Sequence, residues 1–242
     1  MDEALRLDAF LDGARVDDAV SALRPDYRAV LLAADGLVPS VGDDASEALL
    51  RQAESFARQA LREHSVDELP HIAAWREAYR GFGAKPQRTR NSVEALTRRA
   101  EGGLPRVNRL TDLYNAVSVL HQLPIGGEDL ARYRGAPQLI RATGSEPFDT
   151  ANDGVAVIEH PDQGEVVWCD DAGVTCRRWN WRQARRTQLT EHTTTALFIL
   201  DALAPITDDQ LRDAAEDLTC RLRSLWPDVH VAHRWLPDDL RT

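Results

Sequence analysis

Apolar residues recur along this chain with two periods, and the change from one to the other divides it. In the first half the period is helical. Ala48, Leu49, Ala53, Phe56, Ala57, Ala60 and Leu61 fall three and four apart behind the Asp43–Asp44 start, which predicts a long amphipathic helix to about His64. Another helix is expected near Ile72 to Tyr79. A further one opens on an Asn91/Glu94 capping box and stops at Gly102 and Gly103. The next buries Leu110, Leu113, Tyr114, Val117 and Leu120. At the amino end, Leu5 to Leu11 alternates and reads as a strand, Val16 to Leu23 as a short helix, and Tyr27 to Leu37, bounded by Pro25 and Gly36, as a buried strand.

The second half is richer in strands. GVAVIEH and GEVVWCD (Gly164 to Asp170) read as strand runs, and DDAG (Asp170 to Gly173) as a four-residue turn into VTCRRWNW. In that returning strand, Trp179 and Trp181 face one side while Arg178, Asn180 and Arg182 face the other. TTTALFIL is a third buried strand, ITDDQLRDAAEDLTCRLRSLW a capped amphipathic helix and HVAHRWL a closing alternating strand. The expected class is α+β: a mixed, strongly curved or partly closed sheet flanked by helices, in one domain over 1–242 with an N-terminal α/β subregion to about residue 70.

Composition narrows the function. At 242 residues and 43% apolar the chain can bury a full core. No run approaches the roughly 20 apolar residues that span a bilayer, and the acidic start MDEALRLDAF lacks the form of a signal peptide, so a cytoplasmic protein without a membrane partner is expected. Cys169, Cys176 and Cys220 include no C-x-x-C pair and read as reduced core thiols. His230 and His233 lie three apart with no third ligand nearby, so no metal and no cofactor is expected. The net charge of −10 is uneven. Arg76 to Arg109 carries nine basic residues against three acids, and Arg177 to Arg186 adds five arginines and no acid. Arg76, Arg80, Lys85, Arg88 and Arg90 are therefore either part of a solvated basic face or contacts to RNA phosphates.

Chemistry concentrates in LPRVNRLTDLYNAVSVLHQLPIGGEDL (Leu104 to Leu130). Asp112, Asn115 and Ser118 step by three and form a polar stripe on the helix; such groups either bond to neighbouring backbone or face a pocket. The chain has no G-x-S-x-G, P-loop, G-x-G-x-x-G or H-E-x-x-H, which leaves serine-hydrolase, nucleotide and zinc chemistry without support.

Pro105, Asn108, Asp112, Asn115 and Pro124 together resemble a segment of the editing domain of the phenylalanyl-tRNA synthetase beta chain. LIRATGSEPF (Leu139 to Phe148) and LTEHTTTALFIL (Leu189 to Leu200) are similar to later elements of that family. GEVVWCD followed by RRWNWRQ (Arg177 to Gln183) resembles its free-standing versions, the B-three/four domain proteins. The resemblance runs from about Trp75 to about Leu203. It implies hydrolysis of mischarged aminoacyl-tRNA, with no DNA partner; no feature sets an oligomeric state. It also implies that Asn115 and Thr193 line the pocket with Thr195 nearby, and that Arg141 and Glu146 brace a loop. Ser118, Asn180 and Arg182 are added as substrate contacts from the polar faces read above. Family members carry a histidine where this chain has Gly126, and His121 or His192 would have to substitute. Because a site that pairs a substrate hydroxyl discriminates far better than an apolar one, the stripe with Thr193 implies a small or polar amino acid as the one removed. A non-catalytic tRNA- or aminoacyl-binding module and a small-ligand enzyme or sensor are the competing readings.

Overall fold

The computed structural model describes residues 3–237. Its frame is a four-stranded antiparallel sheet in the order β11-β2-β10-β3, made of His230–Leu236, Arg28–Asp35, Thr195–Ala202 and Ile125–Asp129. The continuous apolar run of β2 has a simple cause: both of its faces are covered. Val30, Leu32 and Ala34 join the core under the helices α3 (Asp44–Glu63), α6 (Arg109–His121) and α7 (Asp208–Leu225), while Ala29, Leu31 and Ala33 join a second core on the opposite face. That second core is closed by another sheet, ordered β1-β4-β7-β8-β9. Its strands are Arg15–Val16, Gln138–Arg141, Val166–Asp170, Gly173–Arg177 and Arg182–Gln183. Leu139, Val166 and Trp168 point toward the first sheet; Val167 and Val174 point away, onto Phe148 of the hairpin β5 (Phe148–Asn152) and β6 (Val155–Glu159). The fold is α+β with mixed sheets, the β1–β4 pair being parallel, and neither sheet closes.

Caps fix the helices. Asp43 accepts from the Ser46 N–H, Asn108 from Thr111, Thr207 from Gln210, and Asn91 from Glu94, each an otherwise orphan donor of a first turn. In α5 (Ser92–Arg99) the expected reciprocal bond from Glu94 is absent, because its carboxylate is taken by Arg76 and Arg98. α4 spans Pro70–Gly81.

Four expectations are corrected. Leu5 to Leu11 lies in helix α1 (Glu3–Asp12), not a strand: Leu7 and Leu11 are one helical turn apart and both buried, a spacing that short alternation also satisfies. Val16 belongs to β1, and the helix α2 starts later, at Asp18–Leu23, capped by Asp17. The strand expected to run through Trp181 stops at Arg177, where Arg178 and Trp179 take left-handed backbone at φ 48° and 68°. The alternation of faces fails with it. Trp179 and Asn180 are both buried, and Trp181 is half-buried. Cys220, expected in the core, is exposed on α7.

Candidate active site

The register of the strands builds a pocket between the sheets. Glu128 stands opposite Leu197 and Gly126 opposite Ile199, so both share the face that also carries Asp201 at the end of β10. Across from them, Trp168 pairs with Cys176, and Cys176 with Gln183. α5 and α6 supply a side wall through Ser92, Leu96, Tyr114 and Asn115, and Trp179 to Trp181 complete the lining. The cavity measures about 340 Å³.

Two glycines shape its edge. A Cβ on Gly127 would stand 2.8 Å from Tyr114 Cε1 and 2.9 Å from Leu189 Cδ1, whereas a Cβ on Gly126 would meet nothing within 4 Å. Gly127 makes room for the tyrosine ring; Gly126 leaves room for a ligand. Gly127→Ala is expected to destabilise by about 1–3 kcal/mol, as overpacking does, and Gly126→Ala by less than about 0.5 kcal/mol. Urea midpoints of the two variants check this ranking.

Two buried carboxyls face the pocket. Burial raises the Glu128 carboxyl to about 7, partly offset by the Tyr133 hydroxyl, which donates to Oε2, and by the neighbouring Thr175 and Gln183. Asp201 is likewise raised to about 7 by burial, and the nearby Glu128 charge adds to the shift. Asp201 is enclosed: Tyr27 donates to Oδ1 at 2.6 Å and Asn180 Nδ2 to Oδ2 at 3.2 Å, while Tyr79 donates to Asn180 Oδ1 at 2.9 Å. Asn115 differs. It is 8% exposed, and its amide has no hydrogen-bond partner among the described residues. Cys176 lines the pocket, but burial pushes its thiol well up, away from the reactive thiolate.

Of the expected site residues, Asn115, Gly126 and Asn180 come together here. Others do not. Ser118 is fully buried and donates to the Leu123 carbonyl at the end of α6. Thr193 donates to Asp129 Oδ2 at 2.8 Å, and Asp129 also holds the Ala131 N–H, so this pair ties the exit of β3 to the entry of β10. Thr195 opens β10 opposite Asp35. His192 is exposed beside Glu191. His121 pairs with Asp217 at 3.1 Å on α7. Arg141 donates to the Gly164 carbonyl at 2.6 Å, and Arg182 to the Ala151 carbonyl at 2.9 Å. Glu146 resists partial burial and keeps a lowered carboxyl because the Thr143 and Gly144 N–H groups and the Thr143 hydroxyl donate to it, closing the loop. Among the basic residues, Arg76 is held by Glu94 at 2.7 Å and Arg90 lies 3.9 Å from the same carboxylate; Arg80, Lys85 and Arg88 are exposed. Glu128 and Asp201 were missed. Their only trace is an acid directly after a Gly-Gly pair (IGGED) and another closing an apolar run (ALFILD).

Residues 74–220 match the family model of the B3/4 domain. The chain belongs to that family. In this B3/4 domain the match takes in both pocket carboxyls, Asn115 and the Arg177–Gln183 segment. No curated protein matches the sequence. Among solved structures, an N-terminal fragment of the phenylalanyl-tRNA synthetase beta-subunit from Pyrococcus horikoshii is similar over 93% of this chain and 54% of its own, at 11% identity and a TM-score of 0.46. The B3/4 domain chain thus spans about half the length of that neighbour. No helix among the described residues is long and apolar enough to cross a membrane, and no group of three or more His, Cys, Asp or Glu there could hold a metal ion.

Proposed function

We propose that this chain is a hydrolase acting in trans on the ester between an amino acid and tRNA, with the pocket between the sheets as its active site. The observation that carries the reading is the pairing, in a cavity of about 340 Å³, of a buried carboxyl raised to about 7 with an amide that has no partner among the described residues. A volume near 340 Å³ is at the small end of ligand pockets and suits an aminoacyl group rather than a larger ligand.

The ester is already activated, so a positioned water suffices. Tyr133 occupies one acceptor site of Glu128, and the carboxylate has others to offer a water. As that water attacks the acyl carbon, its proton passes to Glu128 and negative charge collects on the carbonyl oxygen. Asn115 Nδ2 is the donor for that oxyanion in this scheme. The carbon–oxygen bond to the ribose then breaks, Glu128 returns the proton to the ribose oxygen, and free amino acid and tRNA leave. Asp201, enclosed by Tyr27 and Asn180, serves as the floor. The role that the family's histidine would take falls here to Glu128, one strand repeat from Gly126 on the same face. The chain works as one domain in this reading, since β2 from its first quarter lies between β10 and β11.

Single-turnover release of labelled amino acid from misacylated tRNA tests this. Asn115→Ala is expected to slow release by roughly 10²–10³-fold, the effect of removing one oxyanion donor, while tRNA affinity stays at the wild-type value. Thr193→Val, which loosens only the Asp129 tie, keeps more activity than Asn115→Ala. Equal rates for wild type and Asn115→Ala would remove the pocket from the chemistry. A wild type that binds tRNA and releases nothing would favour a binding module.

A further inference from the structure

A second cleft, about 450 Å³, adjoins the pocket and has a different character. One wall is the stretch from Phe82 to Thr89 and the other is Asp162 to Glu165 with Arg178. Lys85 and Arg88 are exposed there, and neither side chain has an ion-pair or hydrogen-bond partner among the described residues; their backbones close a turn, the Arg88 and Thr89 N–H groups donating to the Lys85 carbonyl at 2.9 Å. The acid deepest in the cleft does not balance them. Glu165 is already held by Arg177, with Nε at 2.9 Å and Nη2 at 2.8 Å, and it accepts the Arg178 N–H at 3.1 Å. Asp162 is an exposed carboxylate 3.9 Å from Arg178. Two cations in a concave site with their nearest buried acid already neutralised form an anion site, and the local field favours a dianionic or phosphodiester group.

The position of the cleft says which anion. Two segments run side by side from the cleft to the pocket. The Arg178 guanidinium donates to Thr89 Oγ1, and the Ser92 N–H donates to the Asn180 carbonyl at 3.0 Å. Thr89 and Arg178 line the cleft; Ser92 and Asn180 line the pocket. Trp181, half-buried in the pocket lining, carries the Arg178 guanidinium 4.5 Å and the Arg182 guanidinium 6.0 Å from its ring centroid, so cationic groups run from the cleft to the edge of the pocket.

We propose that the Lys85–Arg88 cleft takes a backbone phosphate of the same RNA whose esterified terminus enters the pocket, so that acyl group and phosphate are read by two adjoining sites. This rests on the hydrolase reading for the identity of the RNA, but its test does not require hydrolysis. Uncharged tRNA binding to the full chain is measured over a salt series for wild type, for Lys85→Ala/Arg88→Ala, and for Arg62→Ala/Arg223→Ala as a control that also removes two cations. The cleft variant is expected to lose about tenfold or more in affinity and to flatten the log affinity against log salt slope by roughly 1–2, with an unchanged melting temperature because both side chains are exposed. The control keeps wild-type behaviour. Unchanged affinity and slope in the cleft variant, equal losses in the control, or no tRNA binding by wild type would each overturn the proposal. So would inorganic phosphate competing as tightly as tRNA, which would assign the cleft to a free anion. The two readings fail separately. Release of amino acid by wild type with the cleft variant still binding normally sinks the cleft alone, and a cleft-dependent affinity with no release sinks the hydrolase alone.

Discussion

Glu128→Gln lowers single-turnover deacylation by roughly 10²–10⁴-fold, the range that a positioned general base contributes. The amide keeps the shape of the side chain and still accepts from Tyr133, but cannot take a proton from water. The pH dependence carries the sign. Burial raises the Glu128 carboxyl to about 7, so the base form is scarce below that value and complete above it. Wild-type release therefore climbs about tenfold per pH unit below 7 and levels off above, whereas the residual rate of Glu128→Gln lacks that step. Asp201→Asn separates the two carboxyls, because Asp201 is raised to a similar value but has both oxygens occupied by protein donors. Its variant keeps the step if Glu128 is the base. A Glu128→Gln enzyme with the wild-type rate and profile would remove Glu128 from the mechanism.

Trp179→Ala destabilises by about 3–5 kcal/mol, the cost of truncating a large aromatic side chain in a packed core. The ring is fully buried and meets Tyr27 at 5.0 Å and Trp75 at 5.3 Å between centroids, both edge-on. Its backbone N–H donates to the Val166 carbonyl at 2.7 Å, which holds the left-handed turn that carries Asn180 and Trp181 to the pocket. Arg182→Ala, by contrast, removes a half-exposed side chain and one bond to the Ala151 carbonyl, and is expected to cost less than about 1.5 kcal/mol. Denaturant midpoints rank the two. The reverse ranking would mean that Trp179 is not part of the core as described.

What could be read from the sequence was whatever repeats over many residues. The long period of α3 behind Asp43 and the unbroken apolar runs of β2 and β10 each encode their own burial, and the structure shows them as expected. Short patterns were ambiguous: Leu5 to Leu11 satisfies period two and a helical turn alike, and the tertiary contacts of Leu7 and Leu11 decided. The returning strand after Gly173 was misread because a two-residue left-handed turn of Arg and Trp carries no glycine to announce it. Glu165, at the head of the neighbouring strand β7, supports that turn through Arg177 and the Arg178 N–H, a contact that only the pairing of β7 with β8 creates. The site was legible in pieces. Asn115 stood out as a polar group on an apolar helix, and it lines the pocket; Ser118, three residues on, is used up on the Leu123 carbonyl one helical turn away. Glu128 and Asp201 could not be singled out from their neighbours in sequence, because what makes them unusual is burial between two sheets, a property of the register of β3 on β10 and of the second sheet that covers it.

The central claim is that the pocket between the sheets hydrolyses an aminoacyl ester. It is tested most directly by single-turnover release of labelled amino acid from a panel of correctly and incorrectly charged tRNAs, with wild type and Glu128→Gln side by side. The account predicts release from at least one mischarged tRNA, little from its correctly charged counterpart, and loss of that release in Glu128→Gln. Release from no member of the panel, or release that survives Glu128→Gln unchanged, would contradict it.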